Sequence, residues 1–468
     1  MLRRLVSLLL CAVLVLGLCA CTPANEESGP VFQVGFGRES ITPTNPVPMG
    51  GYGRSNNRIS EGVAYDLFGT CIAFTYGEEK VLLFTQDLLN SIWQDEVRIE
   101  ISNATGVQPD RILICATHTH FGPDIGNTDT RISLYKELYM SAMVKAATDA
   151  LADCAPATLY SGKTKTDGLN FVRHYLMADG SYAGDNFGDF SASSIAGHAT
   201  EGDPEMIVVK ADREGDKKDI AIVNWQAHPC ASEGGSANKI ISADFIGPMR
   251  TTFESSSGML FAYFTGAAGN QNTTTQIAEE KNHLSVDQLG QKLANIAYSV
   301  MDSVEKIEGP VDIRSANEIH EYALNHDKED KLIQAMEVAA LWQGGATLSA
   351  ANALAHQYGF SSVFEADAVR YRPNRAAKAS YEINALYVGG LAFVTAPYEM
   401  FSDPAVHIKE ESPFDTTMVF TCANGRNLYF ATEAAYEYGS YEAVTSMFAK
   451  GCAEDSAEAL LKLLNSLK

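Results

Sequence analysis

Residues 114–124 read Ile-Cys-Ala-Thr-His-Thr-His-Phe-Gly-Pro-Asp, so that His118 and His120 follow a short apolar run. The chain has only 10 histidines in 468 residues, and a pair two positions apart can still arise by chance. The apolar run predicts a buried strand, and side chains two apart on an extended strand point the same way. Both imidazoles could then face one pocket as metal ligands or as a catalytic pair. The alternative is that each is a satisfied polar residue at a strand end.

Two further predicted strands end in the same manner. Residues 221–227, "AIVNWQA", lead into His228, and residues 390–398, "GLAFVTAPY", lead into Glu399. Functional loops gather at strand ends in open sheets, and zinc accepts imidazole nitrogen together with carboxylate oxygen. The pattern therefore favours a metal or catalytic site as much as the structural alternative. The metalloprotease signature H-E-x-x-H is absent, so spacing alone goes no further.

Two other segments carry side chains suited to binding an oxyanion. Residues 168–181 place Arg173 and His174 in a glycine-bounded segment, where an arginine could hold a carboxylate or an oxyanion. The alternative for Arg173 is a surface ion pair. Tyrosines can donate to an oxyanion or ligate a metal, although aromatic clusters more often pack. Residues 425–443 carry four of them: Tyr429, Tyr436, Tyr438 and Tyr441.

The alternation of strand and helix patterns predicts a mixed, layered α/β/β/α fold in which β-sheets are flanked by helices. A hairpin is predicted around Gly77 and Glu78, helices over 94–106 and 133–152, and two more helices around 328–368. Antiparallel hairpins mixed with helices argue against a purely parallel doubly wound sheet. Length alone suggests about three domains. No linker supports a division, so residues 31–468 are expected to form one large domain.

Composition argues against nucleic acid as a partner but does not show how the cysteines are used. The formal net charge is −23, whereas binding nucleic acid requires a basic face, so no nucleic acid is expected as a partner. Six cysteines follow Cys21 without any CxxC pair, so neither a zinc ribbon nor a disulfide framework can be read. One or two disulfides remain an option in an exported protein, with no pairing indicated.

The N-terminus predicts export. Residues 1–21, "MLRRLVSLLLCAVLVLGLCAC", have two arginines followed by an apolar core too short for an ordinary membrane-spanning helix. Their end resembles the bacterial lipobox, which implies lipidation of Cys21 after cleavage, followed by a tether over 22–30. A plain cleaved signal peptide is the alternative. The lipid would make the protein an exported, membrane-anchored or cell-surface lipoprotein.

Taken in order, the segments resemble the neutral ceramidase family of zinc-dependent amidases. The matching stretches are "GFGRESITPTNPVPMGGYG", "ATHTHFGPD", "FVRHYLMADG", "NWQAHP", "SADFIG", "GAAGNQN", "PYE" and "YFATEAAYEYGSYEA". Each short stretch is weak evidence, but seven or more in the same order are specific. The resemblance covers most of the chain and implies the family's fold and its catalytic domain, without the additional C-terminal β-rich domain.

The resemblance also implies roles for individual residues. One Zn²⁺ per chain would be bound by four ligands, which are His118, His228, Glu399 and Tyr429. His120 would act as an acid/base or substrate-holding group, while Arg173 and Tyr441 would lie near the scissile amide bond. A carboxylate such as Asp244 is a candidate for orienting a metal-bound imidazole, with a helix N-cap as the alternative.

Two positions depart from the family pattern, because Asn272 and Phe121 stand where the family has serines. These departures leave three hypotheses open. The first is a zinc amidohydrolase acting on ceramide or another N-acyl compound, that is, a small-molecule or lipid amide. The second is a zinc hydrolase of another amide or ester, such as a cell-wall or sugar conjugate. The third is a non-catalytic, ligand-binding surface lipoprotein.

Overall fold

The computed structural model describes residues 29–52, 58–185, 190–425 and 428–468. The predicted signal peptide, Cys21 and the tether up to residue 28 lie outside these residues. Residues 32–468 form one compact unit. Among the described residues, none of the helices combines the length and apolar character that crossing a membrane requires.

Strands and helices follow one another throughout the compact unit. The helices are α1 (Gln94–Thr105), α2 (Thr130–Ala152), α3 (Ile246–Ser257), α4 (Val286–Val300), α5 (Leu332–Gln343), α6 (Leu348–Gln357), α7 (Val363–Val369), α8 (Ser402–Glu411), α9 (Glu433–Tyr438), α10 (Tyr441–Thr445) and α11 (Cys452–Ser466). The strands are β1 (Phe32–Ser40), β2 (Gly62–Val63), β3 (Phe68–Tyr76), β4 (Glu79–Gln86), β5 (Ile112–Ala116), β6 (Ala155–Lys165), β7 (Phe171–Val172), β8 (His174–Met177), β9 (Tyr182–Gly184), β10 (Ile195–His198), β11 (Glu205–Arg213), β12 (Ile220–Trp225), β13 (Ile240–Ile241), β14 (Leu260–Thr265), β15 (Gln271–Asn272), β16 (Glu305–Lys306), β17 (Ile313–Ala323), β18 (Lys378–Val388), β19 (Leu391–Thr395), β20 (Glu399–Met400), β21 (Thr417–Phe420) and β22 (Tyr429–Phe430).

The larger sheet has the order β14-β12-β11-β6-β1-β3-β4-β5, with β16 added against β6. Strands β3 and β4 form the predicted hairpin, in which Gly77 takes the left-handed backbone conformation that its turn requires (φ 61°). Helix α1 then ends as predicted at Gly106, whose left-handed conformation lets its N–H bond the carbonyl of Ser102. The pairs β4–β5 and β12–β14 are parallel, each linked through a helix.

The smaller sheet, with order β17-β18-β19-β21, packs face to face on the larger one. The ring centre of Phe74 in the larger sheet lies 6.2 Å from that of Phe393 in the smaller sheet. Phe264 of the larger sheet stacks on Phe420 of the smaller, with 4.5 Å between the ring centres. Helices α1 to α4 cover the outer face of the larger sheet, and α8 and α11 cover that of the smaller. The predicted layered α/β/β/α architecture is therefore confirmed.

The structure corrects one prediction and answers one question that the sequence left open. Residues 328–369 form three helices, α5 to α7, rather than two, because Gly345 takes a left-handed conformation (φ 94°) between α5 and α6. The possible disulfides are also absent from the described residues, in which all six cysteines carry free thiols. Burial in apolar surroundings raises the pKa of the Cys71 and Cys115 thiols well above the usual value, as expected of small core residues.

Candidate metal centre and its surroundings

His118 lies just beyond strand β5 rather than on it. The strand ends at Ala116, and His118 takes a left-handed backbone conformation (φ 68°) that is rare for a residue with a side chain. Its backbone N–H donates to the carbonyl of Leu88 (2.9 Å), which fixes the turn. The prediction that both histidines project from an extended strand is therefore wrong. Their ring centres nevertheless lie only 5.2 Å apart, because the turn brings both to one side.

His228 and Glu399 reach the same point from two other strand ends. His228 follows β12, and its backbone N–H donates to the carbonyl of Gln271 (2.9 Å). Glu399 follows β19 and begins β20. Its Oε2 lies 3.2 Å from Nε2 of His118 and 3.2 Å from Nε2 of His228. We call these three residues together with His120 the histidine–glutamate cluster.

The hydrogen bonds of the two imidazoles suit a metal ion. Nδ1 of His118 lies 2.7 Å from the carbonyl of Leu89, and Nδ1 of His228 lies 2.7 Å from that of Ala268. Since a carbonyl only accepts, each Nδ1 donates, and in the neutral rings each Nε2 carries a lone pair directed at Glu399. Three acceptors facing one another need a cation or a proton between them. Histidine ligands of zinc commonly donate their other N–H to a backbone carbonyl, so these residues fit zinc.

Without a metal, a proton would have to lie between the three facing acceptors. Burial disfavours the charged form of His118, but Cys422 and Glu399 outweigh it and raise the pKa of His118 well above its usual value. Burial and the nearby Arg173 lower the pKa of His228 to about 4. The pKa values of the two imidazoles are therefore shifted in opposite directions, although both rings face the same carboxylate oxygen.

His120 completes a three-nitrogen group with the other two histidines. Ligand nitrogens of His118, His120 and His228 lie within 4.8 Å of one another, so this group could bind a metal ion. Both ring nitrogens of His120 are buried and have no hydrogen-bond partner among the described residues. Burial lowers the pKa of His120 well below its usual value, which favours the neutral ring. The geometry therefore allows either a further ligand or a base facing the substrate.

Two residues that the sequence analysis did not single out hold His120 in place. Arg58 is buried, and its Nη2 donates to the carbonyl of His120 (3.1 Å) while its Nη1 donates to that of Gly50 (2.8 Å). The ring of Tyr52 meets the His120 ring edge-on at 5.0 Å. Tyr52 belongs to the quoted stretch 35–53, but nothing in the stretch indicated contact with a histidine.

The remaining predicted site residues lie beside the cluster. Tyr429 is brought next to Glu399 by the parallel pairing of β22 with β20, and its ring centre is 6.4 Å from that of His228. The guanidinium carbon of Arg173 lies 5.5 Å from the centre of the Tyr429 ring. The Tyr441 ring lies 6.1 Å from the Tyr429 ring. The structure thus brings all seven predicted residues together.

A second buried polar group adjoins them and was not predicted as a unit. Arg173 is 3% exposed, which rules out the surface ion pair, and its Nε donates to Oε1 of Glu442 (2.7 Å). The other oxygen of Glu442 lies 2.6 Å from Nε2 of His174, whose Nδ1 lies 2.9 Å from the hydroxyl of Tyr438. We call these four residues the arginine–glutamate network. The sequence contained one signal for this network, namely that two of its members adjoin predicted site residues or one another. His174 follows Arg173, and Glu442 follows Tyr441.

Asp244 does not orient an imidazole. Its carboxylate accepts from the backbone N–H groups of Ala231 and Ser232 and from the Ser232 hydroxyl (3.2, 2.8 and 2.7 Å). It therefore fixes the loop that follows His228. The alternative role as N-cap of α3 is also wrong, because the cap position is Phe245 and no side chain caps it. The carbonyls of Leu89 and Ala268 orient the imidazoles instead.

The two departures from the family pattern lie in different surroundings. Asn272 borders the site, because its Oδ1 lies 3.5 Å from Nη1 of Arg173 and its Nδ2 donates to Asp185 (2.9 Å). Phe121 is fully buried in the core beneath the larger sheet's helices. Its replacement of a serine therefore affects packing and says little about the substrate.

A cavity of about 720 Å³ opens near the outer end of the arginine–glutamate network. Tyr182 lines it and stacks on Tyr438 with ring centres 4.6 Å apart. Its wall mixes polar side chains, among them Asp179, Ser181 and His356, with apolar ones such as Met177 and Phe190.

Comparison with known proteins supports the fold. The chain is similar to the crystal structure of neutral ceramidase from Pseudomonas aeruginosa, with a TM-score of 0.68 and 16% identity over 94% of this chain and 74% of that one. A structure described as ceramidase complexed with C2 gives the same TM-score and identity over 94% and 75% of the two chains. No protein-family model and no curated protein matches the sequence. The fold expected from the resemblance is thus confirmed, since the similarity spans nearly the whole chain.

Proposed function

We propose that this protein is a zinc-dependent hydrolase that cleaves the amide bond of an N-acyl lipid in the manner of a ceramidase. The observation that carries the proposal is the convergence of His118 Nε2, His228 Nε2 and Glu399 Oε2 on one point. The fold shared with structures named as ceramidases supports the choice of an amide substrate.

Zinc would be held by His118, His228 and Glu399, with Tyr429 beside them, and when bound it would supply a Lewis acid that lowers the pKa of water. The chain's own residues have separate tasks. Arg173 and Tyr441 donate hydrogen bonds to the oxyanion that forms from the amide carbonyl, and such a donor is often worth about 3 kcal/mol. The lowered pKa of His120 favours the neutral ring, which takes a proton from the water that attacks the carbonyl and then passes it to the leaving amine.

A second candidate is hydrolysis of a different amide or ester whose remote part is polar, such as a cell-wall or sugar conjugate. The 720 Å³ cavity favours it, because its wall offers hydroxyl, carboxylate and imidazole groups beside its apolar ones, and a hydroxylated ligand can hydrogen-bond to them whereas an alkyl chain cannot. The volume lies within the range of roughly 300–1,000 Å³ that small-molecule sites occupy.

Measurement of bound zinc together with hydrolysis of a panel of labelled N-acyl amides and esters tests both candidates. The panel includes ceramide, short N-acyl amides and N-acyl sugars, and the matched variants are His118→Ala and His407→Ala. His407 is an exposed histidine of α8 paired with Glu458, so its loss should leave activity unchanged. Selective turnover of ceramide supports the first candidate, and selective turnover of a sugar conjugate supports the second. A protein without zinc, or full activity in His118→Ala, would overturn both.

For the location of the protein we propose an N-terminal lipid on Cys21 that anchors an exported chain to a membrane. The support is the order of arginines, apolar core and cysteine in residues 1–21. Cys21→Ala should release the protein from the membrane fraction of the expressing cell, whereas Cys19→Ala should not. An unchanged membrane fraction in Cys21→Ala would contradict the anchor.

A further inference from the structure

Glu442 links the two elements that carry the proposed oxyanion donors. It lies in α10 directly after Tyr441, and its Oε1 accepts from Nε of Arg173, which precedes β8. Its side chain is 1% exposed, so water does not compete for either oxygen. One carboxylate therefore fixes the separation between Arg173 and the start of α10.

The direction of each hydrogen bond in the network can be assigned. A carboxylate only accepts, so Nε2 of His174 donates to Glu442, and in the neutral ring Nδ1 accepts from the hydroxyl of Tyr438. Burial raises the pKa of Tyr438, so the hydroxyl keeps its hydrogen. His174 and Tyr438 thus hold one oxygen of Glu442 while the other oxygen holds Arg173.

The guanidinium of Arg173 is held in one orientation by its hydrogen bonds. Its Nε is taken by Glu442, its Nη2 donates to the carbonyl of Gly269 (2.9 Å), and its Nη1 lies 3.5 Å from Asn272. A guanidinium has five N–H donors in a fixed fork, so fixing Nε and one Nη2 hydrogen sets the direction of all the others. The guanidinium also interacts with Tyr429, which lies beside Glu399.

We propose that Glu442 is a positioning residue, held by His174 and Tyr438, that aims Arg173 at the reacting carbonyl. Its effect on catalysis rests on the proposed function, whereas its effect on the direction of Arg173 does not. Glu442 itself touches neither the substrate nor the candidate metal ligands.

The test compares Glu442→Gln and Glu442→Met with the wild-type protein. Glutamine can keep all the hydrogen bonds if His174 changes tautomer, but it loses the charge that shortens and strengthens the bond to Arg173. Methionine removes the acceptors at similar volume. The matched control is Asp153→Asn, which removes a carboxylate from Arg213. Arg213 ends β11 beside the start of β12, whereas His228 of the candidate site follows the end of β12.

Two measurements are made on each folded variant. The first is hydrogen exchange of the Arg173 Nε–H in a nitrogen-15 NMR spectrum, with the resonance assigned by its loss in Arg173→Lys. The second is the steady-state kinetics of amide hydrolysis. We expect faster exchange in both Glu442 variants. We also expect kcat to fall about 10-fold in Glu442→Gln and about 100-fold in Glu442→Met, with KM within about threefold, because an oriented donor acts mainly in the transition state.

The outcomes separate this inference from the proposed function. If the wild-type protein hydrolyses no amide or ester, the proposed function fails, while unchanged exchange in Glu442→Gln and Glu442→Met would still overturn the positioning of Arg173. If the wild-type protein is active, unchanged kcat in both variants overturns the catalytic part of the inference. A loss of kcat in Asp153→Asn equal to that in Glu442→Gln would show a general effect of removing a carboxylate from a buried arginine and would also overturn it.

Discussion

Two buried polar groups lie side by side in this protein, and they differ in how their hydrogen bonds are completed. In the histidine–glutamate cluster, lone pairs of His118, His228 and Glu399 face one another, and His120 has two buried nitrogens that find no partner within the described part of the chain. In the arginine–glutamate network, each oxygen of Glu442 has a donor, and the donors are held in turn by further contacts. One group is incomplete and the other is closed.

The difference indicates what each group does. A buried polar atom without a partner costs roughly 1–3 kcal/mol, so an incomplete group is stable only when something completes it. The histidine–glutamate cluster therefore fits a cation between its facing acceptors. The closed network has the character of a support whose geometry does not depend on a ligand.

The largest expected effect comes from removing a member of the incomplete group. His118→Ala should abolish zinc binding and lower kcat/KM by about a thousandfold, since a metal supplies several kcal/mol of transition-state stabilisation. Glu442→Gln should leave the zinc content unchanged. Zinc measured by mass spectrometry beside kinetics on the same preparations gives the result, and equal loss of zinc in both variants would erase the distinction between the two groups.

The next effect concerns stability. Two samples are compared, one with free zinc near a thousand times Kd and one with a chelator that removes the zinc. The free energy of unfolding should be about 4 kcal/mol lower in the sample with chelator. In His118→Ala the chelator should change nothing, because the site can no longer bind the ion. Denaturant unfolding with and without chelator measures both values. A chelator effect of equal size in the variant would locate the stabilising metal elsewhere.

The sequence identified the members of the incomplete group better than it explained their placement. His118, His228 and Glu399 could be found because each follows an apolar strand, and the ordered motifs added Arg173, Tyr429 and Tyr441. The left-handed turn at His118 could not be predicted, because it depends on the carbonyls of Leu88 and Leu89 in a neighbouring loop. The layered fold was predictable because strand and helix periods alternate clearly along the chain.

The closed network was harder to predict for a physical reason. Arg173 and Glu442 are 269 positions apart, and neither residue type nor spacing shows which carboxylate a buried arginine will meet. The same limit applies to Arg58, whose contact with the carbonyl of His120 leaves no mark in composition. Contacts that join distant elements depend on packing, whereas ligands at strand ends depend on a local pattern.

Arg173 belongs to the closed network but faces the incomplete group, so it probes the boundary between them. Arg173→Lys keeps the charge but replaces the planar five-donor fork, which bonds Glu442 and Gly269 at separate nitrogens, by donors on a single nitrogen. We expect kcat to fall about 100-fold, the loss typical of one oxyanion donor, with unchanged zinc content. Loss of zinc in this variant would place Arg173 with the metal ligands instead.

The smallest expected effect is a pH dependence confined to the closed network. Burial alone would raise the pKa of Glu442, but His174 and Arg173 outweigh burial and lower it to about 2. A carboxyl group whose pKa is lowered by folding stabilises the protein above its unfolded pKa, and this contribution is lost as the pH falls. The stability difference between the wild-type protein and Glu442→Gln should therefore be largest near pH 6 and smaller by about 1 kcal/mol near pH 3.5.

The metal makes no contribution to the difference in the free energy of unfolding between the wild-type protein and Glu442→Gln. Acid protonates the zinc ligands in both proteins, and Glu442 contacts none of them, so loss of zinc lowers both stabilities equally. Denaturant unfolding at the two pH values, with chelator present throughout, makes the cancellation complete. A difference that stays constant from pH 6 to 3.5 would mean that Glu442 is held by hydrogen bonds alone. Its charge would then play no part in closing the network.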